Sequence, residues 1–313
     1  MGRIQNLQNG GDPILTNIAR GYQNAAFIGE EILPSVTVTK ESGKIPLFGK
    51  ESFLTKETNR AVGAKSNRGT MDNRKTIPYN TEEYDYEVPI DYREKNAYSP
   101  EDLEAEATEL TMEVIKLGQE ERIAKLVQNP ASYPAGHVEF LGAGDKFNEP
   151  TSDPVEILWS GQDTVRGKIA RRPDLLVLSY DSYRALLQHP KLIGLVSNSG
   201  VGVLTIDLLK QLFDIPNIVV GESVYSVDAE NFTDLWKGFA GLFYRNPQTS
   251  ETRTARQPRF GHVLRLQNNP LSDKYPEGGN EFAKLTIVRS TDINQELIVG
   301  AEAGFIFKDT LIP

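Results

Sequence analysis

The sequence of 313 residues contains no cysteine. This absence excludes disulfide bonds, thiolate metal ligands and cysteine nucleophiles, so packing alone must hold the fold together. Histidine is scarce as well: His137, His189 and His262 are the only three, and no HExxH motif or carboxylate at ligand spacing accompanies them. We therefore predict no metal site in this chain.

Long apolar segments and an excess of positive charge are also absent. No apolar run approaches the length of a membrane span, and the first residues lack the apolar core of a signal peptide. The 43 acidic residues outnumber the 34 basic ones, which gives a net charge of -9. A chain this acidic is not expected to hold nucleic acid tightly through a basic face. These absences predict synthesis in a cytoplasm, no membrane contact and no dedicated nucleic-acid-binding function.

The motifs of common enzyme classes are incomplete. The segment from Gly43 to Glu51, GKIPLFGKE, is similar to a P-loop, but five residues separate its glycines, and Glu51 stands where Ser or Thr would bind Mg²⁺. The glycines at 142–144 and 200–202 lack the third glycine of a dinucleotide-binding motif. We predict no catalytic residue and no cofactor.

Residues Ser99–Asn129 carry the longest uninterrupted helical pattern. Ser99 is a favourable N-cap, Pro100 suits the first helical position, and Asp102 is placed to complete a capping box. At 1.5 Å per residue the helix is roughly 43 Å long, which favours an extended body. Its apolar residues form two stripes, which predict two packing partners. The first stripe contains Leu103, Ala107, Leu110, Val114 and Leu117, and the second contains Ile115, Ile123 and Leu126.

Residues 1–35 predict an N-terminal arm with one short helix. Glycine and polar residues dominate the arm, and its apolar pattern is weak. Such an arm buries little of itself, so it either lacks fixed contacts or lies on something else, such as another copy of the chain.

Period-two patterns predict an extended hairpin over residues 36–95. The clearest strand covers 84–92, where apolar and mostly acidic residues alternate. Pro89 places this strand at a sheet edge or a bulge, because proline cannot donate a ladder hydrogen bond. Some thirty polar residues, 48–76, separate the two sides of the hairpin, and a loop of this length is usually functional or disordered.

Charge is distributed unevenly between the hairpin and the helix that follows it. Residues 40–76 of the hairpin are mostly basic, whereas residues 82–94 and the first turns of the helix are acidic, and this difference predicts a contact between neighbouring copies. The alternative is a solvated loop whose charge bias is accidental. The predicted contact residues are Lys44, Lys50, Lys56, Arg60, Lys65, Arg68, Arg74 and Lys75 on the hairpin, and Glu101, Asp102, Glu104 and Glu106 on the helix.

The second half of the chain predicts a compact α/β region. Residues 190–203 are predicted as a loop, in which Gly194, Gly200 and Gly202 supply conformational freedom. Strands are predicted at 137–141, 175–178, 217–220 and 242–244, helices at 154–170, 181–189 (with Asp181 as the cap) and 205–213, and closing strands at 261–266, 282–289 and 297–307.

Two stretches carry a resemblance to a known family. RRPDLLVLSYDSYRALLQHPKL, which begins at Arg171, and TIDLLKQLFDIPNIVVGESVY, which begins at Thr205, resemble the axial domain of tailed-phage major capsid proteins with the HK97 fold. The closing GAEAGFIFKDTLIP is similar to the C-terminal strand of that family. The order of arm, hairpin, long helix and α/β region agrees with this resemblance over nearly the whole chain.

The resemblance implies an α+β fold with five parts. These are an N-terminal arm (1–35), an extended hairpin loop (36–95), a peripheral domain with the long spine helix (96–151), an axial domain (152–250) and a return to the peripheral sheet (251–313). It also implies that the loop 190–203 lies near the symmetry axis of each ring of subunits.

The implied function is structural. Pentamers and hexamers of the chain would close into an icosahedral shell around double-stranded phage DNA, with a portal protein and separate scaffolding or decoration proteins as further partners. The chain would be assembled in the host cytoplasm and remain in the virion, and isolated basic residues such as Arg3 and Arg20 would touch the DNA diffusely. Two alternatives remain open: an encapsulin-like compartment, and an α/β enzyme with its site in the loops 130–150 and 190–203.

Overall fold

The computed structural model describes residues 12–21, 26–47, 58–60, 62–63, 65–67, 75–97, 99–197, 204–226, 228, 230–246, 258–277 and 284–312. The helices in these ranges are α1 (Pro13–Gly21), α2 (Gly29–Ile32), α3 (Tyr92–Ala97), α4 (Pro100–Gln128), α5 (Pro154–Ile169), α6 (Tyr180–Leu187), α7 (Pro190–Ser197) and α8 (Ile206–Phe213). The strands are β1 (Ser35–Val38), β2 (Ser42–Pro46), β3 (Thr76–Asn80), β4 (Glu82–Asp91), β5 (Val138–Phe140), β6 (Leu175–Ser179), β7 (Asn217–Gly221), β8 (Val224–Ser226), β9 (Phe232–Asp234), β10 (Phe239–Phe243), β11 (Gly261–Leu266), β12 (Leu271–Pro276), β13 (Leu285–Ile298) and β14 (Gly304–Lys308). The predicted α+β class is confirmed.

Strand β13 organises the first sheet. On one side it pairs antiparallel with β4, from Leu285 opposite Asp91 to Asn294 opposite Glu82. On its other side lie β12 and β11, and β11 pairs in parallel with β1. Strand β4 therefore lies at an edge of this sheet as described, which confirms the prediction made from Pro89.

The sequence predicts the strands of the first sheet only in part. Strand β12 was not predicted, and β13 is one strand through Ile298 where the sequence predicts two. The reason is that the buried surface of β13 is polar: Arg289, Ser290, Asp292 and Asn294 are all buried. The apolar periodicity that marks a strand is therefore missing from this part of the sequence.

The second sheet has the order β5-β14-β10-β6-β7. Every residue of β6 and of β10 is buried, as expected for central strands covered on both faces. Helix α5 approaches this sheet closely at Gly161, where an added Cβ would lie 2.8 Å from the Phe307 ring. The strands predicted at 175–178 and 217–220 are confirmed. Strands β5 and β14 come from outside residues 152–250, so the last strand of the chain completes this sheet and not the first.

Two predictions next to the second sheet are wrong. Asp181 does not cap a helix: it lies inside α6, which follows Ser179, and its carboxylate accepts hydrogen bonds from the backbone N–H groups of Ser182 and Gly238. Residues 190–197 form helix α7 and not a loop. Leu192 and Val196, one turn apart, are buried in the core, and this contact stabilises the helix despite Gly194.

The long helix is confirmed as α4, and its predicted faces are confirmed in part. Ile115 and Ile123 of the second stripe and Ala107 of the first are buried. The Ser99 hydroxyl is 3.1 Å from a carboxylate oxygen of Glu101 and caps no backbone group, so the capping box is not formed. Leu110 and Val114 of the first predicted stripe are 50% and 38% exposed. The helix also buries polar residues: Glu104, Thr108, Thr111, Gln119 and Glu120. Thr111 contacts Ser290 on the polar face of the first sheet, whereas Glu120 contacts the arm.

The described parts of the arm lie on the body of their own chain, so they do not lack fixed contacts. Leu15 and Ala19 of α1 are 3% and 2% exposed. The backbone N–H and C=O of Ser272 in β12 both bond the Thr16 hydroxyl at 3.1 Å. Ile32 and Leu33 are fully buried in the main core. The arm is therefore part of the subunit body over residues 12–21 and 26–35.

Candidate assembly surfaces

The hairpin of β2 and β3 is rooted firmly on the first sheet. Its two strands pair antiparallel, from Ser42 opposite Asn80 to Pro46 opposite Thr76. Ile45 is buried in a small apolar cluster that also contains Val36 and Leu264. The Asn80 backbone N–H donates to the Gln295 side chain at 2.9 Å. The root of the hairpin is thus fixed on the first sheet.

Half of the predicted basic contact residues lie in the described part of the hairpin. Lys44, Lys65 and Lys75 are exposed, and so is Arg60. Lys50, Lys56, Arg68 and Arg74 lie outside the described residues. Lys44, Lys65 and Lys75 present their charges at the surface, and the contact itself stays a prediction.

Three of the four predicted acidic partners are exposed, and the fourth is not. Glu101, Asp102 and Glu106 face solvent on α4. Glu104 is 8% exposed and binds Lys95 at 2.9 Å and Lys274 at 2.7 Å within its own chain. Burial disfavours the charged form of Glu104, but hydrogen bonds from these two lysines outweigh it and lower the pKa of the carboxyl group. Glu104 is therefore a structural residue, and we remove it from the acidic residues predicted to contact a neighbouring copy.

Helix α4 presents a second exposed feature that the sequence interpretation had assigned to the core. Leu110 and Val114 lie one turn apart on its outer face. Exposed Glu106 and Glu109 flank them. We call these four residues the α4 stripe. An apolar surface with an acidic border is typical of a contact that is covered in an assembly.

Glu30 holds the arm to the helix and the first sheet. Its carboxylate lies 2.8 Å from the Arg265 guanidinium and also binds Lys116. Arg265 is in turn 3.0 Å from Asp292. Burial raises the pKa of Glu30, but the charges of Arg265 and Lys116 outweigh burial and lower this pKa to about 2. Arm, helix and sheet are thus joined by one ion-pair network.

Glu120 joins the arm, α4 and the second sheet at one point. Its carboxylate accepts hydrogen bonds from the backbone N–H groups of Ile28 at 3.1 Å and Gly29 at 2.7 Å. The Trp236 indole donates to it at 2.8 Å, and the Ser223 hydroxyl at 3.4 Å. Burial raises its pKa although these hydrogen bonds oppose the shift. No sequence motif marks this junction.

The surfaces considered for the enzyme alternative contain structural contacts. The His137 ring donates from Nδ1 to the Gly304 carbonyl at 2.7 Å, and the His189 ring lies 3.1 Å from the Ser152 hydroxyl. A cavity of about 880 Å³ lies between the arm, α4 and β7, but its cations are paired, Lys116 with Glu30 and Arg245 with Asp174. Among the described residues, no group of three or more His, Asp or Glu side chains could hold a metal ion. No described helix is long and apolar enough to cross a membrane.

The predicted axis segment begins with helix α7. Gly194 is exposed, and an added Cβ would meet nothing within 4 Å. Its neighbours Ile193 and Leu195 are 43% and 52% exposed, so this helix shows an apolar face to solvent. Gly200 and Gly202 lie outside the described residues.

The fold is that of a shell-forming subunit of the HK97 type. Its parts are the arm, the rooted hairpin, the long helix across a polar sheet and the separate apolar sheet. No protein-family model matches the chain. It is 43% identical over 307 residues to the major capsid protein of Burkholderia phage BcepMu, with 98% of each sequence covered. It is 30% identical over 309 residues to the major capsid protein of Pseudomonas phage JBD67, covering 96% of this chain and 97% of the relative.

Solved structures agree with these relatives. The crystal structure of a phage-related protein from Bordetella bronchiseptica RB50 is 31% identical, with a TM-score of 0.80 over 97% of this chain and 98% of that chain. The capsid protein of the cyanophage P-SCSP1u shares the fold at 11% identity, with a TM-score of 0.55 over 92% of this chain and 89% of that one.

The chain belongs to the family of phage major capsid proteins. It is a structural protein of the phage head shell and not an enzyme. The relatives that establish this are phage capsid proteins, which favours a head shell over an encapsulin-like compartment.

Proposed function

We propose that copies of this chain form pentamers and hexamers, which close into an icosahedral shell around double-stranded phage DNA. Assembly takes place in the host cytoplasm, with a portal protein at one vertex and scaffolding or decoration proteins supplied separately. The observation that carries this proposal is the α4 stripe, because Leu110 and Val114 expose apolar surface on the longest helix of a subunit whose other core positions are well covered.

The hairpin of a neighbouring subunit is the proposed partner of this stripe. Its described cations, such as Lys44 and Lys75, complement Glu101, Asp102 and Glu106 on the helix. Each exposed ion pair contributes only about 0 to 1 kcal/mol. Every subunit gives one hairpin and receives another, so many weak contacts add up across a closed shell. Leu110 and Val114, at the centre of the stripe, add burial of apolar surface, and this contribution does not depend on charges that salt screens.

A loop deletion tests this contact. Replacing residues 48–74 by a short Gly/Ser turn leaves β2 and β3 in place and removes the segment between them. We expect a soluble subunit with unchanged thermal unfolding that forms few particles, measured by light scattering and electron microscopy. Shells of normal mass and normal salt tolerance from this variant would contradict the proposed contact.

The proposed domain boundaries place the axial domain at residues 152–250, completed by β5 and β14. The α7 face formed by Ile193, Gly194 and Leu195 then lies toward the symmetry axis of each ring, where the same face of several copies would converge. Replacing Leu195 by Lys tests this placement: we expect rings to be lost while the monomer stays folded, because like charges would meet at the axis.

The proposed DNA contacts are weak and not sequence-specific, since the chain is acidic overall. Arg20 already donates to the backbone carbonyls of Asn268 and Pro270 and is therefore a limited contributor, and Arg3 lies outside the described residues. Filter binding of unassembled subunits to duplex DNA should show little retention at physiological salt. Tight, salt-resistant retention would contradict this part of the proposal.

A further inference from the structure

The short hairpin of β8 and β9 presents an apolar face to solvent. Val224 lies opposite Asp234, and Ser226 lies opposite Phe232, so Val224 and Phe232 are diagonal neighbours on one face. Phe232 is 73% exposed and Val224 is 42% exposed. We call this hairpin, with its exposed acidic residues Glu222, Glu230 and Asp234, the acidic knob.

Local hydrogen bonds join the described residues of the acidic knob. Asp228 accepts hydrogen bonds from the Asn231 N–H at 2.8 Å and the Glu230 N–H at 3.0 Å. The first of these bonds is the main reason that the pKa of Asp228 is lowered. At its base, the Gln128 side chain of α4 donates to the Leu235 carbonyl at 2.8 Å. Because strand pairing and these hydrogen bonds already order its neighbours, the exposed Phe232 is suited to be an anchor.

A complementary surface lies at the end of helix α5. Arg166, Lys168 and Arg171 are exposed, and none of them has an acidic partner in the described part of the chain. Arg172 beside them is paired with Asp214 at the surface. Cations at a helix C-terminus interact favourably with the helix dipole. This interaction favours basic residues at the end of α5, but it does not neutralise their charge. Gly167 adds open space between them, because an added Cβ there would meet nothing within 4 Å. We call these residues the basic end.

The acidic knob and the basic end lie at opposite ends of the second sheet. Strands β6 and β7 run parallel, with Leu175 opposite Asn217 and Ser179 opposite Gly221. The basic end immediately precedes Leu175, whereas the knob follows Gly221. The two surfaces of one subunit therefore point away from each other. Unlike surfaces at opposite ends of a subunit produce a head-to-tail contact, which closes into a ring when the rotation between subunits allows it.

We propose that the acidic knob of one copy docks on the basic end of the next copy and forms the ring contact between neighbouring axial domains. Phe232 would pack over Gly167 and the side chains of Arg166 and Lys168, with its ring facing a guanidinium group. Glu230 and Asp234 would face the same cations. This inference rests on the proposed function and names one of its subunit contacts.

A charge exchange between the two surfaces tests the pairing. The knob variant is Glu230→Lys with Asp234→Lys, and the basic-end variant is Arg166→Glu with Lys168→Glu. We expect each to raise the protein concentration needed for assembly by about tenfold or more, because attraction becomes repulsion. The two pairs of substitutions combined in one chain should restore assembly to nearly the wild-type level. Asp145→Lys with Glu277→Lys adds the same charge at exposed positions on neither surface and should have little effect.

The outcomes separate this contact from the proposed function. If wild-type protein forms no particles at all, the proposed function fails and this contact fails with it. If wild-type protein assembles and the reversed variants assemble equally well, or if the combined variant is not restored, the knob contact alone is wrong. Phe232→Ser changes no charge and no buried residue, so it tests the contact independently. We expect this variant to assemble more weakly and to show unchanged thermal unfolding.

Cysteine cross-linking identifies the neighbours directly, because the chain has no cysteine of its own. A chain carrying both Glu230→Cys and Lys168→Cys should form, on oxidation, a ladder of covalent oligomers that ends at about five or six subunits. A mixture of the two single variants should give dimers only. Oxidised particles that contain monomers alone would show that another surface makes this contact.

Discussion

The side chains buried in the second sheet are mostly apolar, whereas those buried in the first sheet are largely hydroxyl groups, amides and ion pairs. All residues of β6 and β10 are buried in the second sheet. In the first sheet, Arg289 pairs with Asp273 at 2.9 Å, and the Ser290 hydroxyl lies 2.7 Å from that of Thr111 on α4. Apolar burial is non-directional, while buried polar contacts stabilise only one geometry. The second sheet therefore supplies most of the core, and the first sheet fixes the position of the long helix.

Breaking the Arg289–Asp273 pair should have the largest effect. Both residues are almost fully buried, at 1% and 2% exposure. Arg289→Met leaves a buried carboxylate without its guanidinium, and we expect the free energy of unfolding to fall by about 3 to 5 kcal/mol. Denaturant unfolding of the unassembled subunit measures this change.

The matched control removes both charges. Arg289→Met together with Asp273→Leu leaves no unpaired buried charge, and we expect the stability to return close to that of the wild type. Equal losses in the single and double variants would mean that packing around Arg289, and not its charge, stabilises the first sheet.

A cavity in the second sheet should have an effect of similar or slightly smaller size. Leu176 is fully buried in β6. Leu176→Ala should lower the free energy of unfolding by about 2 to 5 kcal/mol, because lost burial and the remaining cavity both destabilise. Leu176→Met keeps the volume and should cost less than about 1.5 kcal/mol. If both variants lose the same stability, the packing of this sheet is not as tight as its burial indicates.

The same contrast explains which parts of the fold could be predicted from the sequence. Strands β6 and β7 were predicted because short apolar runs mark buried strands. Strand β12 and the full length of β13 were not, because Ser272, Asp273 and Arg289 are polar and buried at once. A single sequence shows that a residue is polar, but it does not show which distant partner satisfies it.

The candidate surfaces were predictable to a similar degree. The basic hairpin and the acidic helix start follow from charge alone. Glu104 was included among the acceptors because its partner Lys274 lies 170 residues away in the sequence. Leu110 and Val114 were assigned to the core, because periodicity identifies an apolar stripe but not which of two faces meets the sheet. The acidic knob was not predicted, since β8 and β9 are too short to show a pattern.

Acid should affect the first sheet through His262. Burial and the charge of Arg259 lower the pKa of His262 from 6.5 to about 4, so the folded protein keeps this ring neutral. The unfolded chain takes up the proton first, and stability is therefore lost as the pH falls from 6.5 to 4 and not further below. This shift corresponds to about 3 kcal/mol. Unfolding measured across this range in wild type and in His262→Gln should show a steeper loss of stability in the wild type; an equal slope in both would assign it to other groups.

The α4 stripe should show the smallest effect on the isolated subunit and a clear effect on assembly. Leu110 is 50% exposed and Val114 is 38% exposed, so neither packs extensively against a sheet. Leu110→Ser with Val114→Ser should therefore change the free energy of unfolding by only about 0.5 kcal/mol. In an assembled shell the same residues would be covered, and each subunit of the variant would lose the contribution of their burial.

Lys125→Ser, at a highly exposed position on the same helix, is the matched control. We expect fewer particles from the stripe variant and normal yields from the control, measured by light scattering at equal concentrations. Normal particle yields from both would mean that the stripe remains in solvent, and the difference between the two sheets would then concern subunit folding alone.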